Sequence, residues 1–507
     1  MQKDVFKQQV DSIVNATLQG RISRRDAMKR AAALGVGAAA FGTILRSQGA
    51  FAQDATPGAA AVGSTIVVPS GLRTDLTGQK ISVVLAEASS PDVPFLDAAH
   101  AKFTEATGIE VNRLPGDQSS TDRLASYNLQ LGAQSSDIDV MQIDVIWPGI
   151  LAQHAFDLSQ PLADLAKEHF PAIIENNTVN GVLVGMPWFT DAGLLYMRTD
   201  LLEKYNVSAP VTWDDLEAAA KTIMDGERAA GNPDFYGFVF QANAYEGLTC
   251  NGLEWQYSNG GGRIVEDVDG KATVTLNNPN AIDMFKKAAG WVGSIAPQGV
   301  TTYQEPDSLN VFIAGNSAFM RNWPYAWSAS QDPQSVIKGK IGVQSLPKGT
   351  ADGASNAACL GGWQMMVSKY SKSTDASVEY VKYMCSPELQ TSYAIERSHL
   401  PTIASVYDDP AVAAAGIPRL QAEAASFHEA ARTLKHSALH LAHVKSGRAF
   451  RGSFVAPGWR RDRVSARCPS CAAKLSSFRA CRRALAELEC GRCSVSAQVI
   501  RLPLRAA

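Results

Sequence analysis

Apolar positions along this chain recur at two alternating periods. Ile81-Ser82-Val83-Val84-Leu85-Ala86 is a short apolar run that predicts a buried strand ending at Glu87. Phe95, Ala98, Ala99 and Phe103 then recur at helical spacing until Gly108 supplies a stop. Ile109 to Leu114 predicts a second strand, Thr121 to Leu131 a second helix, and Val140 to Trp147 a third strand. Strands alternating with helices imply an α/β fold with a parallel sheet, whose ligands sit at the carboxyl ends of the strands. Glu87 and Asp144 stand at or near such ends, where a helix cap, a loop charge or a ligand contact would each account for a carboxylate.

The stretch Gly185-Met186-Pro187-Trp188-Phe189-Thr190-Asp191-Ala192-Gly193-Leu194-Leu195-Tyr196 is apolar apart from one carboxylate set between aromatics. Leu194 to Met197 predicts a buried strand, preceded by a proline-containing crossing segment, with Asp191 where the two meet. A charge in such company costs several kcal/mol unless it is paired or solvated. Either a helix N-terminus or a polar ligand in a water-filled cleft would satisfy it.

A second unit follows. Thr212 is placed as the N-cap of a helix running to about Ile223, with Asp214 and Asp215 in its first turn, and Asn278-Pro279 starts another helix in the same manner. Glu254-Trp255-Gln256-Tyr257-Ser258-Asn259 combines aromatics and amides ahead of a triple glycine that lacks the P-loop lysine. Asp267, Asp269 and Gly270 fit a hairpin turn between Ile264 and Val274 better than a calcium loop, because the full twelve-residue loop is missing. Phe312 to Trp327 predicts a helix end, a strand and an aromatic turn, and Ile341 to Leu346 a further strand. Val378, Val381 and Met384 mark a helix, and Ser386-Pro387-Glu388 caps the next, which ends near Arg397.

A length of 507 residues exceeds what one core supports, so two or more lobes are expected. The net charge of −2 hides a division: residues 416–507 carry 14 Arg and 3 Lys against 5 acids, or +12, which leaves −14 for residues 1–415. At the N-terminus, Ser23-Arg24-Arg25-Asp26-Ala27-Met28-Lys29 precedes the apolar run Ala31 to Leu45 and a small-x-small site, Ala50-Phe51-Ala52. That order predicts a signal peptide over 1–52, cleaved after Ala52 and similar to the twin-arginine (Tat) type, and hence a periplasmic protein. Its removal takes residues 53–415 to −19, a poor surface for nucleic acid or anionic lipid. Residues 53–78, rich in Ala, Gly, Ser and Thr, predict a flexible lead-in.

Several stretches together resemble the extracellular solute-binding proteins of ABC sugar importers, family 1, in the maltose/trehalose-binding branch. They are the signal, the Glu87 turn, QIDVIWPG at 142–149, GMPWFTDAGLLYMR at 185–198 and PVTWDDLEAAAKTI at 210–223. NVFIAGNSAFMRNWPYAW at 310–327, LGGWQMMVS at 360–368 and SPELQTSYAIERSHLPTI at 386–403 complete a set whose order covers residues 79–415. The resemblance implies a two-lobed periplasmic-binding-protein fold of class II type, with a hinge and an interlobe cleft. Lobe 1 would be 79–186 plus 348–395, and lobe 2 would be 187–347 plus 396–415. Carried onto matching positions, the sugar contacts are Glu87, Asp144, Asp191, Trp255, Trp323, Tyr325, Gly361, Trp363 and Arg397, with Arg123 added from the helix after the second strand.

The chemistry of these residues suits that transfer, since a sugar presents hydroxyls at its rim and C–H groups on its faces. Trp213 and Trp291 are expected in the core. The resemblance implies a monomer that closes on a sugar and docks on a membrane permease, with no cofactor and no chemical step. A secreted hydrolase using Asp144 and Asp191 as an acid/base pair is the alternative.

From about Gly416 the resemblance stops. Cys468-x-x-Cys471 and Cys490-x-x-Cys493 formally fit a zinc ribbon, whose tail could serve as a metal or nucleic-acid module. The region lacks alternating strands and leaves Cys481 over, so a shifted reading frame over 416–507 is the reading preferred here. Cys250, Cys359 and Cys385 are too few to form a disulfide framework for the body.

Overall fold

The computed structural model describes residues 62–420 apart from 89, 270, 418 and 419. The export signal predicted over 1–52, most of the tail from 416, and the candidate zinc ligands Cys468, Cys471, Cys490 and Cys493 lie outside the described residues.

The strands in chain order are β1 (Lys80–Glu87), β2 (Glu110–Gly116), β3 (Val140–Asp144), β4 (Thr178–Val179), β5 (Val182–Leu183), β6 (Met186–Ala192) and β7 (Leu194–Arg198). Then follow β8 (Tyr236–Val239), β9 (Val265–Val268), β10 (Lys271–Val274), β11 (Ser317–Asn322), β12 (Ile341–Ser345) and β13 (Leu360–Val367). They form two main sheets, one of order β2-β1-β3-β13-β6 and one of order β12-β7-β11-β8, with β4/β5 and β9/β10 as separate two-stranded ribbons. β1 runs parallel to β2 and to β3, as the strand–helix alternation requires, and β13 returns antiparallel between β3 and β6.

In the first lobe, side chains leave β1 alternately. Ile81, Val83 and Leu85 join Phe95, Leu96, Ala99 and Phe103 of the helix Val93–Thr107 on one face, while Val84 joins Met141, Ile143, Leu124 and Trp147 on the other. The second lobe buries β7, β8 and β11 against the helix Trp213–Ala229. That helix begins with both halves of a capping box, Thr212 Oγ1 accepting from Asp215 N while Asp215 accepts from Thr212 N, and it runs past Ile223. Trp213 and Trp291 are packed in this core with their rings 5.6 Å apart.

Three boundaries differ from the sequence reading. The crossing segment before Leu194 is itself a strand, β6, on the edge of the first sheet, where Pro187 removes no needed ladder bond. The chain therefore leaves the first lobe at Gly193 rather than at 186/187. It returns at Leu360 rather than at 348. Pro347-Lys348-Gly349 reads as an exit loop, but Lys348 exchanges both backbone hydrogen bonds with the second lobe, donating to Val211 O and accepting from Trp213 N at 3.1 and 3.0 Å. Leu346, Ala357 and Ala358 lie in that lobe's core. The last described segment is shared: Leu400, Ile403, Val406 and Val412 pack in the second core, while the Leu400 carbonyl accepts from Thr190 N of β6.

The described part of the lead-in, residues 62–78, is not free chain. Ile66 and Leu76 are buried in the first lobe's core. Glu396 accepts from Gly63 N, Thr65 N and Thr65 Oγ1 at 2.8, 3.1 and 2.7 Å. Its small-residue composition masked two apolar anchors and a set of backbone donors.

Replacing half-buried Glu396 with Ala deprives three donors of their acceptor, and should cost about 1–3 kcal/mol. Urea unfolding should show the loss together with new protease cuts before Gln79. Unchanged stability and no new cuts would contradict the anchoring role.

Candidate functional site

A cavity of about 780 Å³ lies between the two sheets, and the carboxyl ends of β1 and β3 open into it. Glu87, Arg123, Asp144, Asp191, Trp323, Tyr325, Gly361, Trp363 and Arg397 all line it. Trp255 does not. It is 1% exposed in the second lobe's core, its ring set edge-on to those of Phe240 and Trp291 at 5.5 and 5.9 Å. The resemblance placed it among the sugar contacts; instead, the helix Glu246–Ser258 turns this face inward.

Arg123 is fixed from four sides. Its Nε and Nη2 donate to Asp117 O at 3.1 and 2.6 Å, its Nη1 donates to Gln142 Oε1 at 3.1 Å, and its Nη2 lies 3.6 Å from Glu87 Oε2. Its guanidinium also sits 5.2 Å from the centre of the Trp363 ring, which meets Trp147 edge-on. Arg123 thus holds one end of the cavity rigid, with Glu87 beside it.

Asp191 on β6 pairs in register with Gly361 on β13. A Cβ at Gly361 would stand 3.1 Å from both Asp191 Cβ and the Trp323 ring, so the glycine lets the indole of one lobe approach the carboxylate of the other. Trp323 follows β11. Tyr196 of β7 donates its hydroxyl to the Trp323 carbonyl at 2.9 Å, and the indole Nε1 donates to Glu305 Oε1 at 3.2 Å. Beneath it the buried Arg321 guanidinium lies 3.9 Å from the ring centre and donates through Nε to Glu254 Oε2 at 2.9 Å. Gly193 is required here, because a Cβ would fall 2.1 Å from Glu254 Oε1.

Five further residues at the cavity escaped sequence reasoning: Asp92, Tyr393, His399, Glu246 and Glu305. Asp92 accepts from Tyr393 Oη and from Arg397 Nε at 2.9 and 3.3 Å and contacts His399 Nε2 at 2.8 Å. Burial alone would raise its pKa, yet His399 and Arg397 outweigh burial and hold it at about 2. The Ser-Ser-Pro-Asp context suggested only a turn, and nothing local pointed to partners some three hundred residues away. Glu246 bridges the lobes: Ser120 Oγ donates to its Oε2 at 3.3 Å, and its own N–H donates to Thr121 Oγ1 at 3.1 Å.

The remaining carboxylates are short of cations. Asp144 takes one backbone donor, Ile146 N at 3.1 Å, and burial with Glu246 and Asp191 nearby drives its pKa well up. Burial raises Glu246 and Glu87 too. Asp191 Oδ1 is buried without a hydrogen-bond partner among the described residues. Burial, reinforced by Asp92 and Glu305 and only partly offset by His399 and Arg321, pushes Asp191 to about 7. Such a wall can accept hydroxyl donors and offer aromatic faces.

Among the described residues, no group of three or more His, Cys, Asp or Glu side chains is arranged to hold a metal ion. No helix among them is long and apolar enough to cross a membrane.

Comparison with known proteins agrees with this architecture. Residues 98–418 match the family described as bacterial extracellular solute-binding protein. A probable ABC transporter-binding protein of Deinococcus radiodurans is 51% identical over 310 residues, covering 61% of this chain and 72% of that protein. Maltose-bound MalE3 of T. maritima superposes with a TM-score of 0.68 at 34% identity, over 74% of this chain and 95% of that one. The GacH receptor of Streptomyces glaucescens, at 22% identity and a TM-score of 0.61 over 74% and 94% of the two chains, shares the fold. These relatives are binding proteins, not enzymes.

The folded pKa of Asp191, about 7, lies above the unfolded value of 3.8. Between those values the native state keeps a proton that the unfolded chain has released, so stability falls as pH rises through the window. Asp191→Asn lacks this penalty. Relative to that variant, the unliganded wild type should lose on the order of 2–4 kcal/mol between pH 4 and pH 8 in urea unfolding. A difference that stays constant with pH would contradict a buried, uncompensated Asp191.

Proposed function

We propose, since the chain belongs to the bacterial extracellular solute-binding protein family, that it captures a maltose- or trehalose-like oligosaccharide in the cleft for an ABC importer. Asp191 and the Trp323 indole meeting across Gly361 is the observation that carries this reading. A carboxylate that lacks a donor and an aromatic face within one corner suit the rim hydroxyls and C–H face of one sugar ring. The maltose bound to MalE3 in the similar structure favours an α-linked disaccharide over a free amino acid or peptide.

The remaining assignments divide by lobe. Glu87, Asp144 and Asp191, with Arg123 and Arg397, edge the site from the first lobe, while Trp323 and Tyr325 face them from the second. Trp363 supports Arg123. Hydrogen bonds to charged groups contribute roughly 1.5–3 kcal/mol each and micromolar affinity needs about 8 kcal/mol, so three or four such bonds with one stacked ring suffice after ordering costs. Binding in the open form draws the lobes together about the crossings at Gly193 and Leu360, and the Glu246 contacts with Ser120 and Thr121 close the mouth. The closed form then docks on a membrane permease, which receives the sugar unchanged. The export signal over 1–52 would deliver the chain to the periplasm as a monomer. The hydrolase alternative through Asp144 and Asp191 draws no support from relatives that are transport components.

Calorimetric titration of the full chain with maltose, trehalose and related disaccharides should give binding in the micromolar range for at least one. Asp191→Ala and Trp323→Ala should each weaken it at least about tenfold, or 1.4 kcal/mol. Prolonged incubation should release no reducing ends beyond those of the free sugar. Unaltered affinity in both variants would remove the site assignment, and release of new reducing ends would reinstate the hydrolase.

A further inference from the structure

Two buried polar atoms on neighbouring side chains of the cleft wall, Asp191 Oδ1 and His399 Nδ1, have no hydrogen-bond partner among the described residues. Both residues line the cavity, and they are only 6% and 4% exposed. Strand geometry makes them neighbours. Thr190 of β6 and Leu400 form an antiparallel bridge, with Thr190 N donating to Leu400 O at 2.9 Å. One step along such a pairing the next residues oppose each other in turn, so Asp191 and His399 project from the same face. The ring contacts agree: the His399 ring centre lies 4.1 Å from that of Phe189, which shares a face of β6 with Asp191.

The imidazole is held from its other side. Its Nε2 lies 2.8 Å from Asp92 Oδ2, and the ring packs 4.2 Å from Tyr393 and nearly parallel to Tyr325 at 6.4 Å. Asp92, held ionised at about 2 against the effect of burial, can only accept, so the hydrogen of that contact sits on Nε2. Arg397 Nε, 3.3 Å from Asp92 Oδ1, already supplies the carboxylate with a cation. The imidazole need not carry a second charge, and the neutral ring leaves Nδ1 as a bare acceptor. A buried acceptor in a binding cleft that no protein group satisfies is one that a ligand can complete.

We propose that His399 determines specificity by direct contact: its Nδ1 accepts a hydrogen bond from one saccharide hydroxyl while Asp191 Oδ1 accepts from the adjacent hydroxyl. Asp92 is the positioning residue that fixes the imidazole. This assignment rests on the saccharide reading and narrows it. Opposed cross-strand residues have Cβ atoms about 4.5–5.5 Å apart, a span that two neighbouring hydroxyls of one ring can serve. The corner therefore selects a ring with an unsubstituted pair of adjacent hydroxyls, both donating, and disfavours one that is deoxygenated or methylated at either position.

Amide side chains separate the two ring nitrogens. In His399→Gln the amide nitrogen reaches the place of Nε2 and keeps a donor for Asp92, but nothing replaces Nδ1. In His399→Asn the amide oxygen stands near the place of Nδ1, and the Asp92 contact is lost. Calorimetric titration of the full chain with maltose and with trehalose should show about tenfold weaker binding in His399→Gln and a smaller loss in His399→Asn. A purely structural histidine gives the opposite order, with His399→Gln close to wild type. In NMR spectra of the full chain carrying isotopically labelled histidine, His399 Nδ1 should resonate as an unprotonated ring nitrogen and Nε2 as a protonated one. Added sugar should shift Nδ1 more than Nε2, and the His399→Gln spectrum identifies both signals by their loss. Wild-type affinity in His399→Gln, the reverse order of the two variants, or a protonated Nδ1 would overturn the proposal alone. Failure of both sugars to bind the wild type would remove the saccharide reading and this contact together.

Discussion

Buried carboxylates outnumber available cations in the cleft, and the rest of the site is arranged around that imbalance. Arg123 is engaged by Asp117, Gln142 and Glu87; Arg397 by Asp92; and Arg321 by Glu254. Asp144 and Glu246 are left with backbone, hydroxyl or thiol donors, and Asp191 Oδ1 has no protein donor among the described residues. Leaving a buried acceptor unsatisfied costs about 1–3 kcal/mol. A polyhydroxy ligand supplies donors without adding charge. The strain of unpaired acceptors in the unliganded cleft thus becomes a source of affinity in the occupied one.

That arrangement needs two halves that can part. The chain passes between sheets at Gly193 and at Leu360, and both places are crowded. Gly193 has no room for a Cβ beside Glu254 and Arg321, and Gly362 takes φ 130°, a backbone region that a side chain would disfavour. The buried Arg321–Glu254 pair therefore does two things. It sets the Trp323 indole over the guanidinium, and it clamps the crossing against the helix that carries Cys250. Removing either partner would leave a buried charge alone, with an expected cost of about 3–5 kcal/mol.

Much of this was legible because period and position act locally. The strand ending at Glu87, the Thr212 cap and the aromatic turn after β11 each follow from a few neighbouring residues, whereas the strand expected over 140–147 already stops at Asp144. The errors have local causes too. Trp255 entered through the resemblance, but helical spacing aims it at Phe240 and Trp291. Pro187 suggested a segment outside the sheet, although an edge strand tolerates it. The resemblance put the return to the first lobe at 348, yet the backbone bonds of Lys348 tie it to Val211 and Trp213. The Asp92 cluster with Tyr393 and His399 was beyond reach, because only the folded chain brings its members together.

The central claim is that Asp191 and Asp144 accept hydroxyl hydrogen bonds from a saccharide whose ring lies against Trp323. A crystal structure of the chain with its tightest-binding disaccharide tests it most directly. The account predicts sugar hydroxyls about 2.5–3.0 Å from Asp191 Oδ1 and from Asp144, with a ring face over the Trp323 indole. A sugar seated elsewhere, or one that leaves Asp191 Oδ1 without a donor, would contradict it.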